Sequence, residues 1–172
     1  MAEHGACGSE GMAREWSMGY VMAHRSVPLV RVHVRRQLAL WGWGGDAQDA
    51  AVVVSELVTN AIQYGRRIGR RVWVRLAVRE DGSLVIDVSD PQATLPPRVL
   101  DPSPPGPEDE RGRGLFLARG LGAELSWFPR EFVGKTVRAR LEPTPTPGST
   151  AAPAPGPGRA GDEELGGTLR LP

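Results

Sequence analysis

Apolar residues recur along the chain with two different periods, and each change of period marks an element. Trp16, Met18, Tyr20 and Met22 fall at alternate positions, the two-residue period of a strand. From Ser26 the spacing lengthens. Val30, Val34, Leu38 and Trp41 then lie four, four and three residues apart, with Arg31, Arg35 and Arg36 on other faces. That is a helical stripe. Ser26 and Pro28 supply helix-start chemistry, and Gly42, Gly44 and Gly45 end the helix. A second helix is expected between Asp46, whose carboxylate can cap the first amides, and Gly65, which suits the left-handed residue that closes a helix. Val54, Leu57, Val58 and Ala61 form its apolar stripe, uninterrupted by glycine or proline.

The period then shortens again. Val72, Val74, Leu76 and Val78 alternate with Arg71, Arg75 and Arg79, Glu80-Asp81-Gly82-Ser83 supplies a turn, and Leu84, Ile86 and Val88 are the buried row of a returning strand. Residues 71–89 therefore read as a hairpin. Asp90 continues the buried row, whereas Asp87 faces outward. Helical character returns from Arg111, followed by strands at 124–128 and 133–141. These elements predict an α+β fold: a two-layer sandwich with about three helices on one face of a mixed, mostly antiparallel sheet.

Proline divides the chain further. There are 16 prolines, of which seven fall within 91–107 and six within 143–157, while none interrupts 29–90. The expected organisation is a loose leader (1–15), one domain (16–142) with an irregular insert at 91–111, and a Pro/Gly-rich tail (143–172) that cannot assemble a core.

Composition removes several classes of function. The net charge is +1, from 21 basic and 20 acidic residues, so no overall field collects nucleic acid or anionic membrane. The single cysteine, Cys7, forbids an intrachain disulfide and any multi-thiolate zinc site. No apolar run is long enough to span a bilayer and no secretory signal is present, so a cytoplasmic location is expected. Arg71, Arg75 and Arg79 form one row on a strand, but no nucleic-acid reading motif accompanies them, and the row reads as a solvated face.

Three features could carry chemistry. Glu56 and Asn60 lie one turn apart on the margin of the second helix's apolar stripe. They are either a solvated edge or a metal–phosphate site, in which Asn offers Mg²⁺ a neutral oxygen and Glu positions or deprotonates a nucleophile. Asp90, on the buried parity of its strand, either begins a turn before Pro91 or accepts a hydrogen bond from a ligand's exocyclic amine. Arg111-Gly112-Arg113-Gly114 leads into a helix, where backbone amides and the helix dipole can hold phosphate, helped by the arginines. The run matches neither the P-loop nor the dinucleotide-binding fingerprint.

Taken in order, Glu56-Leu57-Val58-Thr59-Asn60-Ala61, Asp87-Val88-Ser89-Asp90, Arg111-Gly112-Arg113-Gly114-Leu115 and Gly134-Lys135-Thr136-Val137 resemble the ATP-binding domain shared by histidine kinases, gyrase, Hsp90 chaperones and MutL. Within that superfamily the chain is similar to the small anti-sigma-factor serine kinases and their actinobacterial relatives, over roughly residues 16–142. The resemblance implies ATP and Mg²⁺ as cofactors. Asn60 would be the metal ligand, and Glu56 the general base or its orienting partner. Asp90 would accept the adenine amine, while Arg111, Gly112, Arg113 and Gly114 hold phosphate and residues 91–111 form the lid. Seven prolines in that lid predict stiffness.

Three positions depart from the family pattern. Tyr64 stands where histidine is usual, Asp90-Pro91-Gln92 lacks the glycine beside adenine, and Lys135 aligns with a threonine, Thr136 falling on the opposite face. Lys135 is thereby also placed at the nucleotide. The implied function is an ATP–Mg²⁺-binding regulator that phosphorylates a serine of a partner protein, a sigma factor or an anti-anti-sigma-like protein. The rival is a non-catalytic partner-switching module. A homodimer is among the assemblies the resemblance allows.

Overall fold

A computed structural model describes residues 12–65, 67, 69–92 and 113–144. The elements run β1 (Met12–Val21), α1 (Ser26–Trp41), α2 (Ala47–Gly65), β2 (Arg71–Arg79), β3 (Leu84–Asp90), α3 (Arg113–Gly120), β4 (Glu124–Pro129) and β5 (Lys135–Leu141). The five strands form one open sheet in the order β1-β2-β3-β5-β4. The expected mixed sheet is corrected in one respect: every neighbouring pair is antiparallel. The fold is α+β, with three helices on one face of the sheet.

The core lies between the layers. Val30, Val34 and Leu38 of α1 and Val54, Leu57, Val58 and Ala61 of α2 meet Val72, Val74 and Leu76 of β2 and Leu84, Ile86 and Val88 of β3. All of these side chains are buried, so both sequence periods turn the same kind of surface inward.

Local chemistry explains the helix ends. Asp46 Oδ1 accepts the amides of Gln48 (2.7 Å) and Asp49 (3.1 Å), capping the start of α2. Gly42 is left-handed (φ 60°) and closes α1. Ser26 does not cap α1; its hydroxyl donates to the Val21 carbonyl at 2.8 Å. Gly65 is likewise not a left-handed terminator. It belongs to α2 and is absent from the positive-φ glycines. A Cβ there would come within 2.7 Å of Asp90 Cγ, so the missing side chain makes room for a carboxylate.

Two expected boundaries move. Residues 12–15 belong to β1, because β2 extends far enough to pair with them and Arg75 Nε donates to Glu15 Oε1 at 2.7 Å. That hydrogen bond holds the Glu15 carboxyl below its ordinary pKa. Pro143 and Thr144 are also tied to the domain: the Thr144 amide donates to the Gly44 carbonyl at 3.1 Å, and Pro143 packs on Gly82. The remaining leader (1–11), the tail from 145 and the lid segment 93–111 lie outside the described residues.

The outer face of the sheet is knitted by charge. Asp87 lies on that face as expected but is only 6% exposed, because Arg75 and Arg138 cover it. Arg138 Nε and Nη2 donate to its two oxygens at 2.7 and 2.9 Å. Arg71 donates to the Gly19 carbonyl at 3.1 Å. Arg71 and Arg75, two of the three arginines in the row on β2, are thus committed to internal acceptors. Thr136 shares a 2.8 Å hydrogen bond with Ser89 on the same face.

Tyr20 closes the other edge, buried and hydrogen-bonded to His33 Nδ1 at 2.9 Å. Burial pushes its phenol up to about 12. A phenol with a raised folded-state value stabilises the fold fully below its unfolded value near 10, and loses that contribution as pH rises towards 12. Thermal midpoints measured from pH 9 to 12 should therefore fall more steeply in the wild type than in Tyr20→Phe. Parallel curves would show that Tyr20 ionises freely.

Candidate nucleotide-binding site

The candidate residues are arranged around α2: Glu56 and Asn60 share one side of the helix, and Gly65, half a turn round from Glu56, lies on its buried side. Glu56 and Asn60 are both half-buried, one helical turn apart. At the Glu56 end stands α3. A Cβ on Gly114 would overlap Glu56 Oε2 and lie 3.0 Å from its Cδ, so the second residue of α3 must be glycine for this carboxylate to reach the helix start. At the other end Gly65 faces Asp90. Glu56 and Gly65 are nine residues apart, or about 14 Å along the helix axis, with Asn60 between them.

Arg113 is exposed at the first position of α3. Arg111 and Gly112 lie outside the described residues. The structure thus brings together Glu56, Asn60 and Gly114 at one end and Asp90, Lys135 and Gly65 at the other.

The Asp90 end differs from the sequence expectation. Asp90 and Lys135 are direct partners across β3 and β5, so their side chains share a face. Lys135 Nζ lies 3.0 Å from Asp90 Oδ2 and 3.1 Å from Oδ1, and donates to the Gln92 carbonyl at 3.1 Å. The Gln92 amide donates to Asp90 Oδ1 at 2.8 Å, the turn expected ahead of a proline. Asp90 is 2% exposed and Lys135 6%. Both readings of Asp90 were incomplete: it ends a strand and begins a turn, and its acceptor capacity is spent largely on an internal ammonium.

The negative end of the α2 dipole beside Gly65 makes a carboxylate unfavourable there, which the lysine offsets. Gln92 was not recognised as a site residue. Its role is a backbone one, invisible to residue type. Arg67 Nη2 further pins its side chain, at 2.7 Å from Oε1.

The residues fit the groups implied by the resemblance unevenly. Among the described residues no hydrogen bond engages the Asn60 amide, and no group of three His, Cys, Asp or Glu side chains could enclose a metal. One amide oxygen beside a carboxylate suits Mg²⁺, which keeps waters and phosphate oxygens in most of its shell. The donor set therefore fits the metal–phosphate end. The base end does not fit an adenine amine in the expected way, since Lys135 already holds Asp90.

The most similar features elsewhere concern the fold. The RsbU and RsbW domains of Rv1364c from Mycobacterium tuberculosis superpose with a TM-score of 0.54 at 20% identity, over 76% of this chain and 32% of that one. The chain thus spans about a third of that polypeptide's length. The SiaB–SiaC complex from Pseudomonas aeruginosa gives a TM-score of 0.50 at 16% identity, over 77% of this chain and 90% of that one. No curated protein matches the sequence. The family model for the histidine kinase-like ATPase domain matches residues 22–141, from the end of β1 to the last residue of β5. With the antiparallel sheet, the three helices and Glu56 and Asn60 along α2, that match shows that the chain belongs to the histidine kinase-like ATPase domain family.

Proposed function

We propose that the chain binds ATP with Mg²⁺ along α2 and α3 and acts as a cytoplasmic regulator of the anti-sigma serine-kinase type. The observation that carries this reading is the approach of Glu56 to Gly114. A carboxylate set against a glycine at a helix start places a proton acceptor beside the amides best suited to phosphate oxygens. Bound ATP–Mg²⁺ would supply the transferable phosphoryl group. Asn60 would hold the metal through its amide oxygen. The Glu56 carboxylate would orient a partner's serine hydroxyl or take its proton, and Gly114 would keep the path between them open. Positioning and charge neutralisation would account for most of the rate. The similar folds include a two-protein complex and an RsbW domain, in keeping with a protein partner whose charge is changed by phosphorylation.

One observation favours a second reading, a partner-switching module with little or no catalysis. Asp90 is engaged by Lys135, which weakens the case for tight adenine binding.

Thermal unfolding with and without ATP–Mg²⁺ tests nucleotide binding. Ligand at ~100 times its dissociation constant adds about 2.7 kcal/mol of stability, and Asn60→Ala should remove the metal-dependent part. A shift unchanged in Asn60→Ala would remove Asn60 from the site. With labelled ATP and candidate partners, Glu56→Ala should abolish transfer while leaving the thermal shift in place.

A further inference from the structure

Lys135 stands where a bound base would have to be read. Its ammonium reaches both oxygens of Asp90 and the Gln92 carbonyl, all within 3.1 Å, in a pocket that leaves either side chain less than a tenth exposed. Gly65 closes one flank of Asp90, and the Gln92 amide takes a further lone pair on Oδ1. We infer that Lys135 is a specificity-determining residue that supplies, from within the chain, the donor an adenine amine would otherwise provide. Nucleotide recognition therefore rests on the phosphate end and discriminates little between purines. This rests on the nucleotide-binding reading above.

The reasoning is one of competition and of charge. Both an ammonium and an adenine amine would make a charge-assisted bond to the carboxylate, but only the ammonium adds the attraction of a full opposite charge. The ammonium is tethered directly across the β3–β5 ladder, so it cannot diffuse away. Three of the carboxylate's roughly four acceptor sites are taken, so an adenine amine meets one remaining lone pair on Oδ2 unless it displaces the ammonium and leaves it without its carboxylate in a buried place. Guanine faces no greater obstacle. A carboxylate alone repels the guanine O6, but a carboxylate joined to an ammonium presents a donor and an acceptor together. With its charge cancelled, the pair selects neither purine.

Calorimetric titration of the full chain with Mg²⁺ and ATP, GTP or inorganic tripolyphosphate tests this. In the wild type, ATP and GTP should bind within about threefold of each other, a difference of about 0.7 kcal/mol, and tripolyphosphate should bind comparably. Lys135→Thr frees Asp90 and should favour ATP over GTP by at least about tenfold. A wild-type preference for ATP above about thirtyfold would overturn the inference, while leaving nucleotide binding intact. So would a folded Lys135→Thr variant that still binds ATP and GTP equally. If Lys135→Thr does not fold, the wild-type comparison alone decides. Failure of ATP, GTP and tripolyphosphate alike to bind wild type and variant would sink the nucleotide reading and this inference together.

Discussion

Lys135→Met should destabilise the protein by about 3–5 kcal/mol, the usual cost of leaving one partner of a buried ion pair alone. The magnitude follows from burial. Asp90 is 2% exposed and sits against Gly65 at the C-terminal end of α2, where helix carbonyls already add negative potential. Methionine keeps most of the lysine's apolar length, so lost packing contributes little. The double variant Lys135→Met, Asp90→Asn should recover most of the loss, because asparagine can still accept the Gln92 amide and carries no charge. Urea denaturation of the two variants and the wild type measures both terms. A single variant within about 1 kcal/mol of wild type would mean that water reaches Asp90 and that the pair contributes as little as an exposed one.

Gly134→Ala should cost about 3 kcal/mol, combining left-handed backbone strain with overpacking. Gly134 has φ 93°, and a Cβ there would overlap the Asp90 carbonyl oxygen and lie 2.9 Å from Pro91 Cα. Both obstacles are backbone, so neither can rotate away. Gly134 also accepts the Arg130 amide at 2.9 Å, closing the turn between β4 and β5. The alanine would therefore disturb the ladder that sets Lys135 opposite Asp90. Equilibrium unfolding is the direct measure, and a loss below about 0.5 kcal/mol, the size of an ordinary surface change, would show that the turn relaxes. Gly114 offers a contrast: the atom a Cβ meets there is the end of the Glu56 side chain, which can swing aside. Alanine at 114 should cost Glu56 its position more than it costs the fold its stability.

Much of the scaffold was legible because it depends on short-range periodicity. The stripe through Val54, Leu57, Val58 and Ala61 and the alternation of Val72, Val74 and Leu76 each fix which face turns inward, whatever lies opposite. Strand β1 was harder to bound. Arg14 and Glu15, near its start, are polar and break the apolar alternation, and they are strand because β2 is there to pair with them. Gly65 was misread for a related reason. A glycine at the end of a helical pattern usually supplies left-handed conformation, and only the position of Asp90 shows that space, and not φ, is what it provides.

The sequence by itself determined the α+β layering, the placement of Glu56 and Asn60 on one helical face, and the strand parity that puts Asp90 inside and Lys135 and Thr136 on opposite faces. All of these follow from the fixed geometry of one helix or one strand. Only the tertiary structure decided what meets what: Glu56 against Gly114, Asp90 against Lys135 and Gly65, Asp87 beneath Arg75 and Arg138. Those contacts join residues 12 to 58 positions apart: strand register sets Asp90 against Lys135 and Asp87 against its arginines, while packing of α2 on α3 and on β3 sets the other two. The ammonium beside Asp90 is the clearest case. As a residue type Lys135 was a departure from a family pattern; as a neighbour across β3 and β5 it is the group with which a nucleotide base would have to compete.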